Sequence, residues 1–201
     1  MAGRIEDYAI VGDMQSVALI CTDGSVDWLC LPRFDSEACF AALLGTHDHG
    51  QWRIAPDVGT ATATRRYAGD TLILETDWET PDGAVRVTDF MPPRADDDPP
   101  VLVRIVTGLR GTVDMNVTLR VRFGYGSIVP WLLQTKGGIK ATAGPDAIWL
   151  RTPVRMTGRG LAHTATWGVA AGESVPFVLT YMPSHKGEPA PLDAFKSLDQ
   201  T

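Results

Sequence analysis

The most constraining feature of this 201-residue chain is a two-residue alternation of apolar and polar side chains that recurs along much of its length. In the clearest example every second residue from 113 to 123 is apolar, and Arg120 and Arg122 fall among the polar residues between them. This period is typical of an antiparallel strand with one buried and one solvated face. Many such segments in one chain must stack as sheets to bury their apolar faces.

The same alternation, punctuated by Gly and Pro, predicts about a dozen strands. A second clear case runs through residues 72–78, turns at Thr80-Pro81-Asp82-Gly83 and returns through Val85 and Val87, as a hairpin would. Further strands are predicted at 8–11, 17–21, 26–31, 50–55, 60–68, 101–109, 137–143, 147–152, 161–170 and 174–182. The expected fold class is therefore all-β, an antiparallel sandwich of two large sheets.

Helix is predicted in two places only. Near residues 36–44, Asp35 or Ser36 can cap a short helix and Gly45 can end it. At the C-terminus, residues 184–201 change from a Pro-containing linker to the start of a helical pattern. Two turns have little reason to form alone. We therefore expect a sandwich over 1–183 and, in 184–201, a linker leading into a further domain.

Composition narrows the possible partners and compartments. The chain has 18 basic and 24 acidic residues, and its net charge of −6 argues against a nucleic-acid partner. The N-terminal stretch MAGRIEDYAIVGD meets two acids before any apolar run, unlike a signal peptide, and no segment approaches the ~20 apolar residues of a membrane helix. Cys21, Cys30 and Cys39 fit buried free thiols better than a disulfide framework. We expect a cytoplasmic protein without a membrane partner or a cofactor.

An ordered series of motifs carries a resemblance to a known family. It begins with IEDYAIVGDMQSVALICTDGSVDWLCLPRFDSEACFAALLG and continues with GQWRIAP, RRYAGDTLILETDWETPDGAVRVTDFMPP and LVRIVTGLRG. This series resembles the N-terminal domain of bacterial glycoside hydrolase family 15, the glucoamylase-like and trehalase enzymes, and is most similar to actinobacterial trehalases.

The resemblance implies a β-supersandwich joined by a helical linker to an (α/α)6 barrel of the same polypeptide. It also implies hydrolysis of an α-glucosidic substrate, such as trehalose or an α-glucan, with inversion by two glutamates of the barrel. Inverting carboxylates stand roughly 6.5–9.5 Å apart to admit a water molecule. No position here matches either glutamate, so the resemblance implies no catalytic residue in this chain. The alternative is a free-standing carbohydrate-binding β-sandwich.

Two groups of side chains suggest chemistry but have simpler interpretations. Asp35 and Glu37 could form a glycosidase pair, although an N-cap and a first-turn acid explain them better. His47-Asp48-His49 could bind a metal ion, but no third ligand lies nearby in sequence, which favours a surface loop. The sequence therefore predicts no metal site.

Six Trp residues bear on sugar binding, because aromatic faces stack on pyranose rings. Trp131 follows a Val-Pro loop and Trp149 is out of phase with its apolar neighbours, so both are candidates for exposure. Trp78 and Trp167 are in phase with core positions, and Trp52 is ambiguous. No planar row of aromatic residues on one face can be recognised in the sequence.

The segment Pro32-Arg33-Phe34-Asp35 is too polar and turn-like to fill a core. It follows the predicted strand 26–31, so Trp28, Arg33, Phe34 and Asp35 are predicted to lie at an edge of the sandwich, facing the barrel or its substrate. Arg33 could then contact a carboxylate or a sugar hydroxyl. The apolar run 128–133 has two interpretations, an inner strand or a docking surface.

Overall fold

The computed structural model describes residues 3–201, so the first two residues of the N-terminal stretch lie outside it. The described residues form fifteen strands, three 3-10 helices (Ile5–Asp7, Ala42–Leu44 and His47–His49) and one α-helix. The strands are β1 (Tyr8–Gly12), β2 (Val17–Cys21), β3 (Ser25–Cys30), β4 (Ala38–Phe40), β5 (Gln51–Pro56), β6 (Thr62–Tyr67), β7 (Leu74–Thr80), β8 (Gly83–Phe90), β9 (Val101–Arg120), β10 (Trp131–Thr135), β11 (Gly138–Ala143), β12 (Asp146–Arg151), β13 (Thr157–Arg159), β14 (Ala162–Ala170) and β15 (Ser174–Pro183). The α-helix is α1 (Ala194–Gln200).

Strand β9 is the spine of the fold and belongs to both sheets. Its first half pairs with β8 and β15, and its second half pairs with β5 and β14. The change occurs near Gly108 and Gly111, where a Cβ atom would lie 2.1 Å from the carbonyl oxygen of Ala170 or Asp82, respectively. Gly111 also has φ of 64°. The strands predicted at 101–109 and from 113 are therefore one continuous strand.

Two antiparallel layers meet at this spine, which confirms the all-β sandwich. One layer runs in the order β1-β2-β3-β5-β9-β14-β13, with β4 beside β3, and the other runs β6-β7-β8-β9-β15-β12-β11-β10. Their inner faces share one apolar core, in which the rings of Trp52 and Phe177 lie 6.5 Å apart across the layers. The hairpin predicted at Thr80–Gly83 joins β7 and β8.

The predicted helix at 36–44 is wrong. Residues Ala38–Phe40 form β4, which pairs with β3, and only Ala42–Leu44 coil, as a single 3-10 turn. The apolar spacing favoured a helix, but these backbone groups bond to neighbouring segments: the Ala41 and Ala42 N–H groups donate to the carbonyl of Gly50 at 3.2 and 3.0 Å. Tertiary hydrogen bonds override a weak local preference.

The C-terminal segment lies against the second layer. Arg151 of β12 donates to a Glu188 carboxylate oxygen at 2.6 Å and to the carbonyls of Pro189 and Ala190 at 2.6 and 3.2 Å. Helix α1 then packs Ala194 and Leu198 on the outer apolar side chains of this layer. None of the helices within residues 3–201 has the length and apolar character needed to cross a bilayer.

Candidate functional site

One end of the sandwich gathers the loops at residues 31–37, 92–100, 123–130 and 143–146; we call this surface the rim. Its first part is fixed by Arg94, whose guanidinium donates to Asp13 at 2.6 Å and to the carbonyls of Pro32 and Asp98 at 2.8 and 3.1 Å. The Asp13 side chain is fully buried and also accepts from the N–H groups of Gln15 and Ser16. This buried ion pair therefore ties the loops at 13–16, 31–37 and 92–100 together.

The second part of the rim runs beside β4. The Arg122 N–H donates to the carbonyl of Cys39 at 3.1 Å, and the Tyr125 N–H donates to that of Ala38 at 3.2 Å. The Tyr125 ring then lies over Trp28, with ring centroids 6.1 Å apart. The motif containing Trp28 is thus joined to the segment that follows β9.

The structure brings the four residues predicted for an edge position to the rim. Trp28 is half-buried beneath Tyr125, and Phe34 is 63% exposed. Arg33 and Asp35 are exposed and pair with each other, with Arg33 Nε 3.0 Å from the carboxylate. The hydrogen bond from Arg33 lowers the pKa of Asp35. Among residues 3–201 Arg33 forms no other ion pair, so its charge is neutralised within its own loop.

A groove of about 390 Å³ separates the 31–37 loop from the 143–146 turn. Its walls are Pro32, Phe123 and Ile128, with the carboxylates of Glu37 and Asp146 beside them. The Tyr181 hydroxyl donates to Asp146 at 2.7 Å, and burial together with this carboxylate raises the pKa of Tyr181. The groove is therefore apolar on its walls and acidic at its margin.

The apolar run at 128–133 leads out of this groove to the free edge of the second layer. Trp131 opens the edge strand β10 and is 80% exposed, and Ile128, Val129 and Leu133 are each about half exposed. An inner strand is therefore the wrong interpretation of this run. Phe34 and Tyr125 are also exposed, so the rim and the adjoining start of β10 present several apolar side chains to solvent.

Residues 1–187 match the protein family described as trehalase-like, N-terminal. The chain belongs to this family. It is 30% identical to a trehalase from Mycobacterium tuberculosis over 88% of its length, which is 30% of that protein. It is 35% identical to a trehalase from Mycolicibacterium smegmatis over 60% of its own length, which is 20% of that protein. It is 27% identical to a trehalase from Thermoplasma volcanium over 72% of its own length, which is 24% of that protein. The chain thus spans under a third of the length of these relatives.

Other candidate residues of this trehalase-like domain lie apart from the rim or in the core. The prediction that Trp149 is exposed is wrong: it is 8% exposed, because Lys140 on the neighbouring strand β11 covers its ring with Nζ 4.9 Å from the centroid. Trp52 and Trp78 are core residues, and Trp167 is half-buried against the core. The domain therefore presents Trp131, and not Trp149, to solvent.

The histidine motif and the cysteines have structural surroundings. His47–His49 form a 3-10 turn capped by Thr46, and Asp48 pairs with Arg120. In the part of the chain that the structure describes, no three His, Cys, Asp or Glu side chains are grouped to hold a metal ion. All three cysteines are buried free thiols, and burial raises the pKa of Cys39. Burial also raises the pKa of Cys21 and Cys30.

Sequence reasoning missed the residues that assemble the rim. Arg94 lies in PPRADDDPP, which has the appearance of a solvated loop, and Asp146 pairs with a tyrosine 35 residues away. The only available signal was an isolated arginine among acids and prolines. Nothing local shows that its partner is the distant Asp13.

Proposed function

We propose that this chain is the non-catalytic N-terminal domain of an inverting α-glucosidic hydrolase of glycoside hydrolase family 15. It packs against a catalytic (α/α)6 barrel of the same polypeptide and helps to shape it. The observation that carries the proposal is the family match over residues 1–187. The similar proteins named trehalase extend well beyond the part that this chain matches. The substrate is then trehalose or a related α-glucan, and the compartment is the cytoplasm.

The rim supports a docking role. Five apolar side chains on the rim and at the start of β10 are exposed, namely Phe34, Tyr125, Ile128, Val129 and Trp131. Where such side chains are contiguous they mark interaction sites. The buried Arg94–Asp13 pair holds its loops in place, so the surface is formed before docking. We place the domain boundary after residue 183. The sandwich then covers 1–183, and 184–201 lead toward the barrel.

The direct test is an activity assay on the pure 201-residue protein with trehalose, maltose and starch. We expect no glucose release, with a full-length trehalase relative as the positive control. Release that is abolished by Glu37→Gln or Asp35→Asn would show a complete site in this chain and overturn the proposal.

The docking surface has its own test. We expect the isolated protein to bind an apolar dye or to self-associate, and the double variant Ile128→Ser, Trp131→Ser to reduce both effects. Leu109→Ser is the matched control, because Leu109 is 44% exposed and lies in the middle of β9, away from the two ends of this strand that lead to the rim loops. A monodisperse protein that ignores the dye would contradict a docking role.

The exposure of Trp131 supports a second candidate, a free-standing carbohydrate-binding sandwich. Titration of trehalose and maltooligosaccharides, followed by tryptophan fluorescence, separates the two candidates. Saturable binding that is lost in Trp131→Ala favours the binding module. No binding at millimolar sugar favours the docking domain.

A further inference from the structure

A second arginine near the rim is buried and forms no ion pair within residues 3–201. Arg122 follows β9 directly and is only 5% exposed. It lies between the segment at 39–50 and the turn at Leu161: its N–H donates to Cys39, and its Cβ would touch a Cβ on Gly50 at 3.2 Å. The packing of distant segments therefore covers a side chain that the alternation pattern assigned to solvent.

Its guanidinium is poorly satisfied within residues 3–201. Nη1 donates to the carbonyl of Val121 at 2.6 Å and, at 3.4 Å, to that of Leu161, while Nε and Nη2 have no hydrogen-bond acceptor there. No carboxylate in this part of the chain forms an ion pair with Arg122. Burial lowers its pKa and the positive charge of Arg120 lowers it further, while the Asp48 carboxylate acts in the opposite direction.

Arg120 adds a second positive charge beside Arg122. It pairs with Asp48 through Nη1, but its Nε is enclosed without an acceptor among the described residues. Two neighbouring guanidinium groups therefore share one carboxylate, and four of their six nitrogen atoms lack a partner there. Of these nitrogens Arg120 Nε is shut off from solvent, whereas those of Arg122 are not, so a ligand can reach the pair. Proteins normally pair largely buried charges, and an acceptor with negative charge would use these donors.

We propose that Arg120 and Arg122 form an oxyanion site between the His47–His49 turn and the β13–β14 turn. The planar fork of arginine matches two oxygens of a carboxylate or of a tetrahedral oxyanion such as sulfate. The site is independent of the proposed hydrolase role. Its occupant is either a free oxyanion or a carboxylate from another polypeptide segment.

The test is thermal unfolding of the 201-residue protein in sodium sulfate or sodium acetate, against sodium chloride at equal ionic strength. We expect a saturable rise in Tm of a few degrees at low millimolar anion, since a ligand of the folded state stabilises it. Saturation separates binding from the general effect of sulfate on protein surfaces, which grows steadily with concentration. Acetate as effective as sulfate identifies a carboxylate site, and a response to sulfate alone identifies a site for tetrahedral oxyanions.

Three variants test whether the anion-dependent rise in Tm comes from the proposed site. Arg122→Met should weaken anion binding about tenfold or more, because it removes a buried charged partner. Asp48→Asn should strengthen binding, because it removes the competing carboxylate; Asp48 is 70% exposed, so this variant should fold. Arg110→Met, at a 66% exposed arginine paired with Glu79, is the control and should change nothing. No saturable response to either anion, an equal response in Arg122→Met, or a weaker one in Asp48→Asn would overturn the proposal.

Discussion

Two buried arginines on one stretch of chain have opposite surroundings. Arg104, in the first half of β9, is fully buried between the two layers and pairs with Asp89 at 2.7 Å. It also donates to the carbonyls of Trp52 and Gly24, both at 2.9 Å, and lies 5.1 Å from the centroid of the Trp52 ring. Arg122, near the rim, has two carbonyl contacts from one nitrogen and a cation as its neighbour.

Arg104 has its partners within the domain, whereas Arg122 lacks partners for most of its donors among the described residues. Arg104 joins β9 to β8, to β5 and to the turn before β3, so its charge and its donors are used within the domain. A buried pair of this kind is not in itself strongly stabilising, but breaking it leaves a charge without a partner. Arg122 is already close to that condition in the native domain. Variants can test whether the two sites differ as the contacts indicate.

The largest effect should come from Asp89→Ala, which leaves Arg104 unpaired between the layers. We expect the free energy of unfolding to fall by about 3–5 kcal/mol in urea denaturation. The double variant Asp89→Leu, Arg104→Met should recover most of this loss, because no charge remains buried. A loss below about 1 kcal/mol in Asp89→Ala would show that the Arg104 site is not the tightly paired region.

Arg94→Met should have the next largest effect, a loss of about 2–3 kcal/mol. It leaves the buried Asp13 carboxylate with only two backbone N–H donors, from Gln15 and Ser16. Exchange of the backbone amides in the 31–37 and 92–100 loops should also quicken. The exposed Arg110→Met is the control for both measurements, and equal exchange in the two variants would contradict a role for Arg94 in holding the rim.

A smaller effect is expected at the outer face of β7 and β8. Arg66 and Arg86 both bond to Asp77, and the hydrogen bond from Arg86 is the first cause of the lowered pKa of Asp77. Asp77→Asn should cost about 1 kcal/mol at pH 7, as expected of a partly exposed network.

The same variant gives a pH dependence with a defined sign. Because folding lowers the pKa of Asp77, its contribution is present above the ordinary aspartate pKa of about 4 and is lost as pH falls through the folded value. The stability of Asp77→Asn should therefore fall less on acidification than that of the parent. Asp70→Asn, at an exposed position, should keep the parent's slope; equal slopes in all three proteins would contradict the prediction.

The smallest effect is expected from Arg122→Met measured in chloride alone. Replacing a buried cation that forms no ion pair among residues 3–201 by an apolar side chain of similar length should change stability by less than about 1 kcal/mol, in either direction. The contrast with Asp89→Ala in the same denaturation series tests the comparison directly. A loss as large as that of Asp89→Ala would show that Arg122 is satisfied within the domain.

The sequence predicted the sandwich because strand alternation is a local property. Successive side chains of a strand point to opposite faces of the sheet, so apolar and polar residues alternate along the chain. Strands β7 and β8 and the hairpin at Thr80–Gly83 could therefore be recognised without knowledge of their neighbours. The helix expected at 36–44 failed where local spacing was ambiguous, because pairing with β3 decided the outcome. The turn at Arg33, Phe34 and Asp35 could be recognised because the segment is polar and follows a strand; that it faces a barrel stays a prediction.

The sequence by itself determined the fold class and the family, since strand alternation and an ordered series of motifs can be read directly along the chain. Only the tertiary structure decided which charges are buried. Arg104 interrupts an apolar run and Arg122 lies in an alternating one, yet both are buried: Arg104 faces inward toward Asp89, and Arg122 is covered by loops distant in sequence. Burial of a side chain depends on what packs over it, and contacts across 15 and 39 residues leave no local trace.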